Sequence, residues 1–180
     1  MLGNGHVIAS GIVDLLCVFG IIGMIMGSVS AISEKDTRRM IAYSSVAQIG
    51  YIYMGIGLGT SAGMVAAVFH IFTHAATKAL LFISSVGLYE VSDGRYDRPG
   101  LRGAAYRNPM AGFAFSVGAF SMVGFPMLSG FISKPLFAAA ATQPPSQMVV
   151  PILVPTISSV LNAIYFPRLA IGTSTPGERE

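Results

Sequence analysis

Charged side chains are scarce in this sequence, since only 11% of its 180 residues are Asp, Glu, Lys or Arg. Soluble domains usually carry about 25%, and so few charges could not cover a water-facing surface. Hydrophobic residues make up 53% of the chain. The composition therefore excludes a soluble domain and predicts an integral membrane protein whose helices face lipid or one another.

Cysteine and tryptophan are also nearly missing. The single cysteine, Cys17, lies in an apolar run, so it can form no internal disulfide. No spacing of Cys and His typical of a metal site occurs, and we expect no metal. Because the sequence has no Trp, tyrosine must supply any aromatic belt at the membrane interface. The first apolar run is too long for a secretory signal.

Apolar runs long enough to cross a bilayer recur along the chain, because a spanning helix needs about 20 such residues. The fourth run would make a continuous helix of about 50 Å, whereas the hydrocarbon core is about 30 Å thick. Gly124, Pro126 and Gly130 near its centre predict a break. The predicted spans are residues 7–33, 40–58, 62–89, 109–141 and 147–169, followed by a polar tail at 173–180.

We therefore predict an all-α, polytopic membrane protein with about five transmembrane helices, the fourth discontinuous at Gly124–Gly130. The loops at 35–39 and 95–107 share one side, because two predicted crossings separate them. They hold seven of the eleven basic residues: Lys35, Arg38, Arg39, Arg95, Arg98, Arg102 and Arg107.

This charge pattern is typical of membrane topology rather than of nucleic-acid binding, and the positive-inside rule makes the basic side cytoplasmic. One broken crossing of the fourth run places the N-terminus outside and the C-terminus in the cytoplasm. Two crossings would place the C-terminus outside. We favour one crossing, in a bacterial cell membrane.

The third run carries ionisable residues at a four-residue spacing: His70, His74 and Lys78. On a helix they fall within an arc of about 80° and rise about 12 Å. Imidazole titrates near neutral pH, so the stripe predicts a proton relay. Ionisable groups at membrane depth cost about 2.5–3.5 kcal/mol each, which favours a function for them. Two alternatives stay open: hydrogen-bonded core histidines with Lys78 reaching the interface, and zinc, which lacks a third ligand.

Other polar groups extend this pattern. Lys134 lies four residues after Gly130, where carbonyls freed by the helix break can hold water. Asp14 is a lone carboxylate in the first run, and it is either a counter-ion for Lys78 or Lys134 or an interface residue. Polar groups on the second run that could hold water are Tyr43, Ser44, Ser45 and Gln48.

Three segments resemble motifs of the antiporter-like subunits of respiratory complex I, Mrp-type sodium/proton antiporters and membrane-bound hydrogenases. Residues 35–51 read KDTRRMIAYSSVAQIGY and resemble KDxKRxxAYSSxxQxGY. Residues 70–82 read HIFTHAATKALLF and resemble HxxxHAxxKALLF. Residues 130–134 read GFISK and resemble GFxSK. All three occur in the family's order.

The resemblance implies a channel built from two inverted five-helix repeats, of which this chain is similar to the second only. It also implies that His70, His74 and Lys78 form a central relay and that Lys134 is the terminal proton-loading lysine. Redox chemistry in partner subunits would drive the cycle, so no cofactor and no catalytic chemistry are expected in this chain. Pro135 departs from the pattern, since many relatives carry an acidic residue there.

The resulting hypothesis is translocation of protons, or of sodium, through a half-channel of buried His and Lys residues. The chain would act as a subunit of a redox-driven or multisubunit antiporter complex, with other membrane subunits as partners. One partner would supply the first repeat if the chain is complete. The alternative is a non-transporting scaffold subunit or an inactive fragment, and hydration around the histidines discriminates between them.

Overall fold

The computed structural model describes residues 3–142 and 149–175, and this part of the chain is helical and contains no β-strand. The predicted all-α class is therefore confirmed. The predicted start of the fifth span at Gln147 and the tail beyond residue 175 lie outside the described residues. The helices are α1 (Gly3–Ser33), α2 (Thr37–Gly57), α3 (Ser61–Glu90), α4 (Ala104–Arg107), α5 (Pro109–Val123), α6 (Ser129–Ala141) and α7 (Val149–Thr173).

Three of these helices are long and apolar enough to cross a membrane by length and composition, at Gly11–Ser33, Ser61–Glu90 and Val150–Thr173. Helix α2 has 21 residues but carries two arginines in its first turn and several polar groups beyond them. Helices α5 and α6 have 15 and 13 residues, and each alone is shorter than the roughly 20 residues that a crossing needs.

Helices α5 and α6 follow one another along α3, and both run antiparallel to it. Their contacts move steadily toward the N-terminal end of α3 as the chain proceeds through both helices. The pairs, in chain order, are Asn108 with Gly87, Ser121 with Thr77, and Phe137 with His70. The discontinuity predicted at Gly124–Gly130 is confirmed: α5 ends at Val123, α6 begins at Ser129, and Gly130 already belongs to α6.

Glycines bring α1 and α2 into backbone contact. A Cβ atom added at Gly20 would lie 2.6 Å from the amide nitrogen of Met54, and one added at Gly50 would lie 2.6 Å from the carbonyl oxygen of Gly20. Small residues allow this close approach, on which helix association in lipid depends. The contact fixes α2, which carries one side of the candidate site.

Side-chain caps define where the helices begin. The Asp36 carboxylate accepts from the amides of Arg38 and Arg39, which starts α2. The Thr60 hydroxyl accepts from the amide of Gly63, which starts α3. Each cap satisfies an amide that would otherwise lack a partner and contributes about 1 kcal/mol. The caps set the register of the two helices that present the polar groups.

The two basic loops contact each other, so they lie at the same end of the bundle. The guanidinium carbon of Arg38 lies 3.9 Å from the ring centroid of Tyr96. Arg98 donates from Nη2 to the carbonyl oxygen of Glu34 over 3.1 Å. The amide of Thr37 donates to the carbonyl oxygen of Tyr96 over 3.0 Å. These bonds bring together the charges that the sequence predicted on a common side.

Candidate functional site

The histidines of α3 stand on one stripe, as their spacing predicts. Their rings are nearly parallel, with centroids 6.0 Å apart and an interplanar angle of 12°. His70 is buried and contacts the rings of Tyr51 and Phe137, whose centroids lie 5.6 Å and 5.4 Å from its own. Both ring nitrogens of His70 and Nδ1 of His74 are buried and have no hydrogen-bond partner among the described residues. Buried imidazole nitrogens normally have a hydrogen-bond partner, such as a water molecule.

Lys78 continues this stripe and is buried, with 6% of its surface exposed. Its Nζ donates to the carbonyl oxygen of Ile41 over 2.7 Å and to the hydroxyl of Ser44. The ring centroid of Phe166 lies 5.7 Å from the same nitrogen. Among the described residues no carboxylate lies within salt-bridge distance of Lys78. Neutral acceptors on α2 therefore hold this amine at the far end of the histidine stripe.

Lys134 lies at the helix break. Its Nζ donates to the carbonyl oxygen of Val123, the last residue of α5. The side chain crosses Gly124, where an added Cβ would lie 2.8 Å from Nζ. The C-terminal end of a helix carries a partial negative charge. The break thus provides both the space for this lysine and an electrostatically favourable acceptor.

A small void connects the two histidines with Lys134. Its volume of about 10 Å³ is close to the least that holds one water molecule. Lys78 does not line it and lies one turn beyond His74. The other polar groups around the void are Gln48, Thr73, Thr77, Ser121 and Ser133.

A larger cavity of about 370 Å³ lies on the other side of Lys134, between α6 and α7. Its lining is mostly apolar, but it includes the Tyr51 phenol. This phenol donates to the carbonyl oxygen of Pro155 over 2.7 Å and lies 3.0 Å from the Ser159 hydroxyl. Lys134 lines both spaces. Its ammonium group is thus positioned between the water-sized void and an open pocket.

The predicted polar residues of α2 divide into two groups. Ser44 contacts Lys78, and Gln48 lines the small void. Tyr43 is 41% exposed and points away from both. Ser45 donates to the carbonyl of its own helix at Ile41 over 3.2 Å. The structure therefore brings two of the four residues to the site.

Asp14 lies on the exposed side of α1, and no ion pair joins it to a lysine in the described part of the chain. Its neighbour Cys17 packs against Gly57 at the C-terminal end of α2. Lys78 contacts Ser44 near the N-terminal end of that helix, which separates the two by about 20 Å along its axis. The counter-ion role of Asp14 stays a prediction.

Sequence reasoning missed several residues that the fold brings to the site, among them Tyr51, Ser121 and Ser133. Ser133 precedes Lys134 directly and lines the same void. The Ser121 hydroxyl lies 3.3 Å from both the Thr77 and the Ser129 hydroxyls. The available signal was the position of Ser121, three residues before the break, but only tertiary contacts show which way its side chain points.

The fold and this arrangement define a membrane protein of the antiporter-like class. A sequence profile of the NADH:quinone oxidoreductase/Mrp antiporter transmembrane family matches residues 6–161. The chain belongs to this family, and the predicted resemblance is confirmed.

Known proteins similar to the chain are longer than it is. NADH-quinone oxidoreductase subunit N of Desulforudis audaxviator is 36% identical over 153 residues, which is 82% of this chain and 29% of that protein. A probable K(+)/H(+) antiporter subunit of Rhizobium meliloti is 33% identical over 157 residues, which is 85% of this chain and 16% of that protein. The chain thus spans less than a third of either relative.

Solved structures of multisubunit complexes contain the same fold. A chain of the Mrp complex from Dietzia sp. DQ12-45-1b matches with a TM-score of 0.84 and 29% identity, over 93% of this chain and 31% of that one. A chain of the membrane-bound sulfane sulfur reductase, an archaeal respiratory membrane complex, matches with a TM-score of 0.86 and 29% identity, over 94% of this chain and 34% of that one.

Proposed function

We propose that this chain translocates protons as part of a multisubunit membrane complex, through His70 and Lys78, which are buried, and His74 and Lys134, which are partly buried. The observation that carries the proposal is the void shared by both histidines and Lys134. Ionisable groups at membrane depth that face a polar cavity commonly mark ion pathways. Four helices, α2, α3, α5 and α6, contribute polar side chains to the lining of this void.

The proton would reside on Lys134 next to the end of α5. The Val123 carbonyl accepts from its ammonium group there, and the negative end of the helix dipole favours that form. One water in the void would reach both Lys134 and an imidazole nitrogen, and imidazole can accept on one nitrogen while it donates from the other. These groups therefore supply the donors and acceptors for a step between Lys134 and the histidines.

Lys78 would exchange protons with His74, one turn away on the same stripe of α3. A four-residue step rises about 6 Å, which one bridging water can span. The Lys78 amine also contacts Ser44 and the Ile41 carbonyl, so α2 holds it in place between transfers. The relay in this chain would accordingly run between α2 and the break that separates α5 from α6.

Protons fit this site better than sodium. The ionisable groups that line the void are imidazole and amine nitrogens, whereas hard cations prefer several oxygen ligands, mostly carboxylates and carbonyls. Lysine ammonium groups would also repel a metal cation. We therefore assign the proton, and not sodium, as the ion that these residues carry.

Partner subunits would complete the pathway. The Mrp complex and the sulfane sulfur reductase named above are complexes, and this chain covers 31% and 34% of the matching chains. If the chain is complete, a partner would supply the first repeat. The basic loops would face the cytoplasm of a bacterial cell, with the N-terminus outside and the C-terminus inside. Energy for transport would come from those partners.

The test is to reconstitute the native complex with Lys78→Ala or Lys134→Ala and to measure coupled proton movement. We expect either change to abolish it while the complex still assembles. Lys35→Ala, on an exposed loop, is the matched control and should transport normally. Normal pumping by both the Lys78 and the Lys134 variants would overturn the proposal.

A specific observation favours a second candidate, a non-transporting scaffold. His70 packs against two aromatic rings, and both of its nitrogens lack partners in the described region, as in a dry packing site. A scaffold predicts that His70→Leu leaves proton movement unchanged, whereas the relay predicts its loss. Assembly of the complex, measured in parallel, separates a folding defect from a transport defect.

A further inference from the structure

Tyr51 borders the larger cavity and contacts His70, which borders the small void. Its side chain is buried, and the centroid of its ring lies 5.6 Å from that of His70 and 5.6 Å from that of Phe137. The Phe137 ring in turn lies 5.4 Å from His70. Tyr51 does not line the void, and His70 does not line the larger cavity. The two aromatic rings therefore stand where the imidazole would otherwise meet that cavity.

The larger cavity offers hydrogen-bond acceptors to water on two helices. Proline has no amide hydrogen, so the carbonyl four residues earlier in a helix loses its usual donor. Pro135 in α6 has this effect on the carbonyl of Phe131. Pro155 in α7 has it on the carbonyl of Pro151. All four residues line the cavity beside Lys134, and irregular backbone at membrane depth is typical of a wet space.

Hydrogen bonds fix the Tyr51 side chain against α7 and away from the proton route. Its hydroxyl donates to the carbonyl oxygen of Pro155 and lies close to the Ser159 hydroxyl. A phenol has one hydrogen to donate, and Pro155 accepts it. The rest of the side chain is an aromatic ring, which has no group that accepts or releases a proton near neutral pH. Tyr51 therefore contacts His70 without offering it a proton.

We propose that Tyr51 is a barrier residue, which keeps His70 apart from water in the larger cavity and so makes Lys134 the obligatory link between the two spaces. Lys134 lines both of them. Apolar constrictions that exclude water block ions in channels, and the Tyr51 and Phe137 rings form such a constriction. Without the Tyr51 ring, cavity water would reach the imidazole and a proton would bypass the lysine. This inference rests on the proposed transport function.

The test is passive proton flux through the reconstituted native complex, driven only by an imposed pH gradient and followed with a pH-sensitive dye inside the vesicles. We expect Tyr51→Ala to raise the flux at least about 10-fold, a change of about 1.4 kcal/mol in the barrier, because water then reaches His70 directly. Tyr51→Phe keeps the ring and should leak far less. Tyr53→Ala, at an exposed tyrosine of the same helix, is the matched control and should not leak. A tight Tyr51→Ala variant, or an equal leak in Tyr51→Phe, would overturn the proposal.

A second set of variants tests whether the leak bypasses Lys134. Lys134→Met removes the amine but keeps a side chain of similar length, so it does not by itself join the two spaces. The leak of Tyr51→Ala should persist when Lys134→Met is added and should disappear when His70→Leu is added. A leak that Lys134→Met abolishes, or one that survives His70→Leu, would contradict the bypass.

If Tyr51→Ala fails to assemble, a density map of the unaltered complex that resolves ordered water decides. No water should lie between the Tyr51 ring and the imidazole of His70, and a chain of water from the larger cavity to that imidazole would refute the barrier. The transport function itself is tested separately by driven pumping in the Lys78 and Lys134 variants, since the passive flux is measured without the driving reaction.

Discussion

The amine of Lys134 donates a hydrogen bond to the carbonyl oxygen of Val123, the residue at which α5 ends. A helix that continued past this point would use that carbonyl for its own ladder. The interruption therefore creates the acceptor as well as the space for the lysine. It also places the same amine at the edge of the void that contains the histidines.

Gly124 should be essential for this arrangement. Its φ of +90° lies in the region that only glycine adopts readily, and an added Cβ would lie 2.8 Å from the Lys134 Nζ. We expect Gly124→Ala to cost about 1–2 kcal/mol and to lower both the thermal midpoint in detergent and the transport rate. Gly11→Ala, where nothing lies within 4 Å, is the control, and equal midpoints for both variants would count against this reading.

Filling the void should stop transport without removing any titratable group. Ser133 is 1% exposed and lines the void, so the extra methyl groups of Ser133→Val would occupy the volume of one water. We expect proton movement to fall at least about 10-fold, as the loss of a bridging water would require. Ser84→Val replaces a buried serine that bonds its own helix and should transport normally. A fully active Ser133→Val variant would show that the void carries no protons.

Protonation of the Asp97 carboxylate, which pairs with Arg95, should change the free energy of unfolding only slightly. A hydrogen bond from Arg95 is the main reason that the pKa of the Asp97 carboxyl lies below its usual value. The stabilisation that this pair contributes is therefore fully present above the pKa of Asp97 in the unfolded chain. It is lost as the pH falls through the pKa of Asp97 in the folded protein. Both side chains are exposed, so the effect is small.

We expect Arg95→Gln to raise the pKa of Asp97 toward its usual value in an NMR titration of labelled aspartate. The thermal midpoint at pH 7 should stay the same. A large drop in the midpoint would mean that the loop is a structural anchor rather than a solvated surface. An unchanged Asp97 pKa would contradict the assigned hydrogen bond.

Replacing Asp14 decides between the two roles that the sequence left open. The carboxylate is exposed and lies at the opposite end of α2 from Lys78. We expect Asp14→Asn to keep full proton transport, measured beside Lys78→Ala in the same reconstituted complex. A loss as complete as that of the lysine variant would instead assign Asp14 as a counter-ion in the assembled protein.

The sequence predicted the features that local chemistry determines. The break follows from Gly124 and Pro126 in an overlong apolar run, and the stripe of His70, His74 and Lys78 follows from helical periodicity. Which groups surround these residues could not be predicted. Tyr43 and Ser44 are adjacent in sequence, yet one is exposed and the other contacts Lys78, because the rotation of α2 is set by its glycine contacts with α1. The places of Tyr51, Ser121 and Ser133 in the site depend on such tertiary contacts.

The most direct test of a proton pathway through this chain is the hydration of the void between His70, His74 and Lys134. A density map of the assembled complex that resolves ordered water would show it. The account predicts one water within about 3.2 Å of the Lys134 amine and of an imidazole nitrogen. A dry void, with these nitrogens packed only against apolar side chains or acyl chains, would contradict proton conduction by this route.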